Sequence, residues 1–337
     1  WWARLGLNQR PLRCHRSALP LSYAPNSLLF LILFNLYSVN ITLMNTLIND
    51  NESNYFSLLK PRKSLQKPFI ITSSHSGTQF PHSFNSRKEV NTKVYMSMQD
   101  MFVNDLSLNM NELGITVLQS NISRLVIDLN RDITEIDPKE IIKIPKGFVF
   151  NVSSKTRAGI GLVPTNDSLG NQIYNSKISW DEVEKRIKKF YSPWHHILKK
   201  EIDKLHEIFG YVFVIDLHSM PSKDINGKDL KSFVIGNNFD KTSTSTSRIS
   251  LSKLIKERGY SFSFNYPYSG GFISNKYSKL EKNIECIQIE ISKKLYMSEE
   301  TFEKNKNFNS FKDDLTYIID RFKKNYEAKR SYNLAAE

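Results

Sequence analysis

The chain has 337 residues, of which 40% are hydrophobic and 24% charged; this excludes a disordered protein and allows one large domain or two small ones. Its formal charge is +13, but the lysines are scattered among Asn, Ile and Ser rather than gathered on an aromatic-rich stripe, so no nucleic-acid partner is read from it. The only cysteines are Cys14 and Cys286, which excludes a disulfide framework and an all-cysteine zinc site and makes a reducing, cytoplasmic compartment the default.

Residues 1–43 read as a leader outside the folded domain. Arg4, Arg10, Arg13 and Arg16 precede Pro25 with no acidic residue between them, and 27–44 is an apolar run broken by Asn35 and Asn40. Three readings of this segment stay open. A signal peptide fits the basic flank but has no Ala-x-Ala cleavage site. A membrane anchor fits the apolar run, which is at the lower limit for spanning, and a membrane partner enters only if 27–44 is a real anchor. The third is a start at Met44, with residues 5–25 resembling the peptide read through a transfer-RNA gene. Residues 44–67 form a polar lead, and 68–330 carry the domain.

Strand signals follow in order at 69–74, 114–118, 124–129, 211–217, 233–235, 260–265 and 284–291, each short and rich in β-branched or aromatic residues. Helical patterns separate them. The clearest runs over 180–209, where Val183, Ile187, Phe190, Trp194, Leu198, Ile202, Leu205 and Phe209 recur at three- and four-residue steps. Pro193 divides it in two and Gly210 stops it. Other helices are expected at 98–113, 247–258, 298–304 and 311–326, and 132–175 reads as a long loop insertion over the site. The alternation predicts a single α/β domain with a mostly parallel or mixed sheet flanked by helices.

Two of the strand signals end in a histidine followed by Ser and a chain-turning residue: His75-Ser76-Gly77 and His218-Ser219-Met220-Pro221. In an open α/β sheet the functional crevice lies at the carboxyl ends of the strands, so two such histidines can converge on one ion. His75 has Thr78 three residues on, which excludes a compact HxxE ligand pair, and Asp100, at the head of an expected helix, is the best third ligand. Glu290 is a carboxylate in an otherwise apolar strand. Arg124, Arg131 and Arg157 have anion-binding potential, because a guanidinium can clamp a carboxylate through two parallel hydrogen bonds. His82, His195, His196 and His206 are weaker candidates, no GxSxG elbow exists, and Cys286 reads as a core residue.

Taken in order, these residues resemble the N-formylglutamate amidohydrolase family, which is related in fold to zinc carboxypeptidases and aspartoacylases. The likeness runs from about residue 68 to 304. It rests on His75-Ser76-Gly77, Asp100, Asp128-Leu129-Asn130-Arg131, Tyr191-Ser192-Pro193-Trp194-His195, Asp216-Leu217-His218-Ser219, the loop Asn265-Tyr266-Pro267-Tyr268-Ser269-Gly270-Gly271, and Gln288-Ile289-Glu290 with Leu295-Tyr296-Met297. The resemblance implies a zinc-carboxypeptidase-like (phosphorylase/hydrolase-like) fold and hydrolysis of N-formyl-L-glutamate to formate and L-glutamate, a step of histidine degradation. It implies zinc on His75, Asp100 and His218, Glu290 as general base and then acid, and Arg131, aided by Asn130, on a substrate carboxylate, with Arg124 and Arg157 as further binding candidates. Leu217 stands where many relatives have Cys, and Met101 where an aromatic often follows the aspartate; both leave the acyl group and the amino acid open. The rival readings are a zinc peptidase or peptidoglycan amidase, which needs an open groove, and a non-catalytic membrane-tethered binding protein, against which the retention of every candidate ligand argues.

Overall fold

The computed structural model describes residues 55–336 apart from 82–83 and 85–91; the leader, residues 44–54 of the polar lead, Cys14 and His82 lie outside the described residues. Nine strands are described: β1 (Phe56–Leu59), β2 (Phe69–Ser73), β3 (Thr116–Ser120), the short pair β4 (Ile141–Ile142) and β5 (Ile178–Ser179), then β6 (Val212–Met220), β7 (Phe233–Gly236), β8 (Phe262–Phe264) and β9 (Ile284–Ser292). The helices are α1 (Thr92–Met98), α2 (Val103–Ser107), α3 (Ser154–Arg157), α4 (Trp180–Arg186), α5 (Ser192–Phe209), α6 (Ser245–Glu257), α7 (Phe272–Tyr277) and α8 (Phe308–Ala336).

Seven strands form one mixed sheet in the order β1-β3-β2-β6-β9-β7-β8. Its centre, β3-β2-β6-β9, is parallel, while β1 and β7 run antiparallel to their neighbours β3 and β9. The chain leaves β2 toward β3 on one side and returns to β6 on the other, so the order reverses between β2 and β6. A crevice opens outside the strand ends at such a reversal.

Side chains on a strand alternate between faces, and β6 is buried along all nine residues. Phe213, Ile215 and Leu217 join Phe69, Ile71, Ile287 and Ile289 in a core shared with Leu106 of α2, Leu251 of α6 and Phe322 of α8. On the other face Val212 and Val214 join Ile70 and Cys286 beneath Val183 of α4 and Trp194, Leu198, Ile202 and Leu205 of α5. That second face changes character along the strands. Its apolar residues lie toward the strand starts, and Thr72, Asp216, His218, Gln288 and Glu290 follow them toward the carboxyl ends, all buried. Cys286 is a fully buried core residue, as its apolar strand predicts.

Four expectations need correction. Residues 124–129 are no strand: the backbone turns at Ser123, whose carbonyl accepts Val126 N at 2.9 Å, and Asp128 N bonds to Leu162 O at 2.7 Å, so the β-branched side chains are buried in a packed loop. The 98–113 helix is broken into the end of α1, the short α2 and a 3-10 turn at Met110–Leu113. It breaks because Phe102 and Asn109 take left-handed backbone and Leu108 is extended. Asp100 therefore does not open a helix. Residues 298–304 form a turn in which Ser298 N bonds to Glu303 O, not a helix. Strand β1 lies in the segment read as polar lead. The long helical pattern is continuous rather than divided at Pro193, with a π-helical turn at Ile187–Tyr191 joining α4 to α5 and Pro193 directly after it. The 132–175 insertion is largely irregular, as expected, but it holds β4 and α3.

Candidate functional site

His75 and His218 meet at the reversal between β2 and β6, their ring centroids 4.7 Å apart. His218 is carried on β6 itself, and His75 lies two residues past the end of β2. The turn after His75 needs Gly77, since a Cβ there would run into the backbone of Asn121 and Ile122. Asp100 is brought in by a backbone hydrogen bond from its N–H to His75 O at 3.0 Å. Its carboxylate then lies 2.9 Å from His218 Nδ1 and 3.7 Å from His75 Nδ1, and the donor atoms of the three residues all lie within 4.8 Å of one another.

The opposite ring nitrogens are held by two further carboxylates. His75 Nε2 bonds to Asp128 Oδ1 at 2.6 Å and His218 Nε2 pairs with Asp216 Oδ2 at 2.9 Å. With an ion between these residues, each imidazole would donate its Nε2 proton to a carboxylate and offer its Nδ1 lone pair beside Asp100, an arrangement that fixes tautomer and orientation for a metal ligand. Two imidazoles and one carboxylate fit a divalent ion of the zinc class, with a fourth position left for water. The sequence reading named neither Asp128 nor Asp216 for this task. For Asp216 the signal was available: residues two apart on a strand share a face.

The electrostatics follow from the crowding. Burial works against the charge on Asp100, yet the hydrogen bond with His218 and the nearby imidazole of His75 hold it far below the ordinary carboxylate range. Burial likewise opposes charge on His218, but Asp216 and Asp100 outweigh it and hold His218 well above the usual imidazole range. Glu290 is the exception. It faces His218 across the register of β6 and β9 and accepts from Gln288 Nε2 at 2.7 Å. Burial pushes it up to about 8; His218 opposes this, while Asp100 and Asp216 add to it. A carboxyl group that changes protonation near neutrality can act as acid and base.

The loop 128–131 supplies the other polar groups. His195 Nε2 bonds to Leu129 O at 3.0 Å, and Tyr191 Oη donates to Arg131 O at 2.8 Å. The motif on the π-turn and α5 therefore positions this loop and contributes no ligand. Its His196 is exposed. Asn130 Nδ2 donates to Asp216 Oδ2 at 3.2 Å, and Asn130 Oδ1 accepts from Ile273 N at 2.8 Å. Gly271 makes room for that side chain: a Cβ there would lie 2.6 Å from Asn130 Oδ1. Arg124 donates to Asp128 Oδ2 at 2.6 Å and so lies behind His75 as part of its support. Arg131 is 8% exposed and makes only loose ion pairs, 3.9 Å to Asp128 and 3.7 Å to Glu135. Arg157 is exposed at the end of α3, and among the described residues no hydrogen bond or ion pair joins its side chain to this cluster. Sequence reasoning also missed Lys293, buried with Nζ 3.0 Å from Ser97 O, and gave no role to Tyr268, whose hydroxyl is pushed above the ordinary phenol range by burial and by the charges of Glu290 and Asp100. Neither lies in a spacing that marks it. Among the described residues no helix is long and apolar enough to cross a membrane.

Comparison with known proteins bears on the family and the fold. The family model described as N-formylglutamate amidohydrolase matches residues 67–297. The N-formylglutamate deformylase of Pseudomonas putida is 29% identical over 194 residues, which cover 56% of this chain and 66% of that protein. The N-formylglutamate deformylase of Pseudomonas aeruginosa is 25% identical over 238 residues, covering 69% of this chain and 83% of that protein. Among solved structures, an N-formylglutamate amidohydrolase from Ralstonia eutropha superposes with a TM-score of 0.76 at 28% identity, covering 82% of this chain and 99% of that one. A protein from Agrobacterium tumefaciens shares the fold, with a TM-score of 0.61 at 16% identity and coverage of 83% and 98%.

Proposed function

The chain belongs to the N-formylglutamate amidohydrolase family, and from that premise we propose that it is a metal-dependent hydrolase that cleaves N-formyl-L-glutamate to formate and L-glutamate. The observation that carries the reading is the convergence of His75, Asp100 and His218, with each histidine braced from behind by its own carboxylate and Glu290 alongside. A divalent ion held by these three residues, zinc in this reading, supplies a Lewis acid for the acyl carbonyl and lowers the pKa of water.

The protein's own groups do the rest. Glu290 accepts a proton from the attacking water as the new C–O bond forms, then delivers it to the amide nitrogen as the C–N bond breaks. Asp128 and Asp216 keep the imidazoles oriented. Arg131, with no tight partner of its own, takes the carboxylate beside the scissile amide and fixes its distance from Glu290. Asn130 contributes by holding Asp216 and the chain at Ile273. The reading carries a small-molecule substrate and a reducing, cytoplasmic setting for the free thiol of Cys286. It is tested by measuring formate release from N-formyl-L-glutamate together with metal content. Cleavage of N-acyl peptides in preference to N-formyl-L-glutamate, or full activity in metal-free protein, overturns it.

A further inference from the structure

Strand β6 carries Asp216 and His218 on one face and the apolar side chains of Ile215 and Leu217 on the other. Ser219 continues the apolar stripe, with Ile291 as its partner in the register of β9. A buried hydroxyl needs an acceptor, and this one donates to Asp100 Oδ1 at 3.3 Å. The same carboxylate presents its other oxygen, Oδ2, to His218 Nδ1 at 2.9 Å.

Consecutive residues of a strand point to opposite faces, so a carboxylate held by both His218 and Ser219 lies at the edge of β6 and not over either face. The register explains why that edge is open to it. Strand β2 pairs with β6 as far as Thr72 opposite Asp216, and Asp100 is brought in beyond that point by the bond from its N–H to His75 O at 3.0 Å. Its carbonyl accepts Val103 N at 3.2 Å, so the backbone of Asp100 is fixed on both sides. What the backbone does not fix is the rotation of the carboxylate, because the last torsion of an aspartate is broad.

We infer that Ser219 is a positioning residue for Asp100: its hydroxyl engages Oδ1 and sets the plane of the carboxylate, so that Asp100 offers a divalent ion Oδ2 alone. The inference rests on the metal-dependent reading above. A carboxylate can ligate through one oxygen or through both, and a second oxygen would take the position that a hydrolytic site keeps for water. Ser219 keeps that position open. It acts through Asp100 and touches no reacting atom. Hydrogen-bonding partners of a ligand are worth about 10–100-fold in metal affinity, which makes the role measurable apart from turnover.

The test compares Ser219→Thr, which keeps the hydroxyl, with Ser219→Val, which has the same shape without it; both side chains suit a strand. Zinc affinity, measured by competition with a chromophoric chelator, should be near wild type for Ser219→Thr and about tenfold weaker for Ser219→Val. With cobalt(II) in place of zinc, Ser219→Val should absorb more weakly in the visible than wild type, because a second Asp100 oxygen raises the coordination number, whereas Ser219→Thr should not. A packing defect alone would weaken both variants alike and leave the cobalt spectrum unchanged. Equal zinc affinities for the two variants, or an unchanged spectrum in Ser219→Val, overturn the role of Ser219. If neither variant folds, Ser219→Ala decides by the same two measurements against wild type. If wild-type protein binds no zinc, the metal-dependent reading falls and this inference with it. If it binds zinc but releases no formate from N-formyl-L-glutamate, only the substrate reading falls, and the variants still decide Ser219.

Discussion

Glu290 and His218 face each other on adjacent strands, yet their substitutions should separate two functions. Glu290→Gln keeps shape and hydrogen-bonding capacity but removes the proton acceptor, so kcat should fall by roughly a hundredfold to ten-thousandfold with metal content near wild type. His218→Ala removes a donor atom and the imidazole that pairs with both Asp100 and Asp216, so metal content and activity should fall together. Elemental analysis beside formate release distinguishes the two outcomes. Loss of metal from Glu290→Gln would make Glu290 a ligand. His195 gives a cleaner pH effect because it lies away from the donor set. Burial, then the charge of Lys276, holds it well below the ordinary imidazole range in spite of its bond to Leu129 O. The unfolded chain takes up a proton near pH 6.5 that the folded chain refuses, so stability is lost as pH falls below that point, by at most about 1.4 kcal/mol per unit. Urea denaturation from pH 7 to 5 should show His195→Gln approaching wild-type stability as pH falls; a constant difference would contradict this.

At the scale of elements, the site depends on segments that meet without being regular structure. The loop 128–131 is tied down by Tyr191 and His195 from one helical segment and by Ile273 of α7 from the other side. Gly271 is the tightest point of that contact. Gly271→Ala should force Asn130 out of place, costing about 1–3 kcal/mol in stability and lowering kcat/KM about tenfold or more. In the Asn130→Ala background the same substitution should cost much less, because the two residues are in contact and their effects do not add. Thermal denaturation of the four proteins in that cycle measures the coupling, and additive losses would show that Gly271 acts on something other than Asn130.

At the scale of the molecule, the three donor residues close the reversal point of the sheet, so an ion bound there would tie β2, β6 and the turn at Asp100 together. Removing it with a chelator should lower Tm by roughly 5 °C, from about 2.7 kcal/mol of linkage at a hundredfold excess over Kd, and zinc should restore it. An unchanged Tm would show that the donor set binds no ion in the folded protein. The sequence alone determined much of this arrangement. The runs of β-branched and aromatic residues at 211–217 and 284–291 placed His218 at a strand end and Glu290 on a strand, and the histidine after 69–74 marked the second candidate ligand, because such runs are a local property of the chain. Local pattern misled where the backbone turns with buried β-branched residues, as at 124–129, and where left-handed backbone broke the helix expected after Asp100. What only the tertiary structure decided is the pairing of charges. Asp128 behind His75, and Asp100 between the two histidines, depend on segments dozens of residues apart meeting at the carboxyl ends of the central strands. No spacing in the chain encodes those distances, because they are set by the order of the strands and by the packing of loops over their ends.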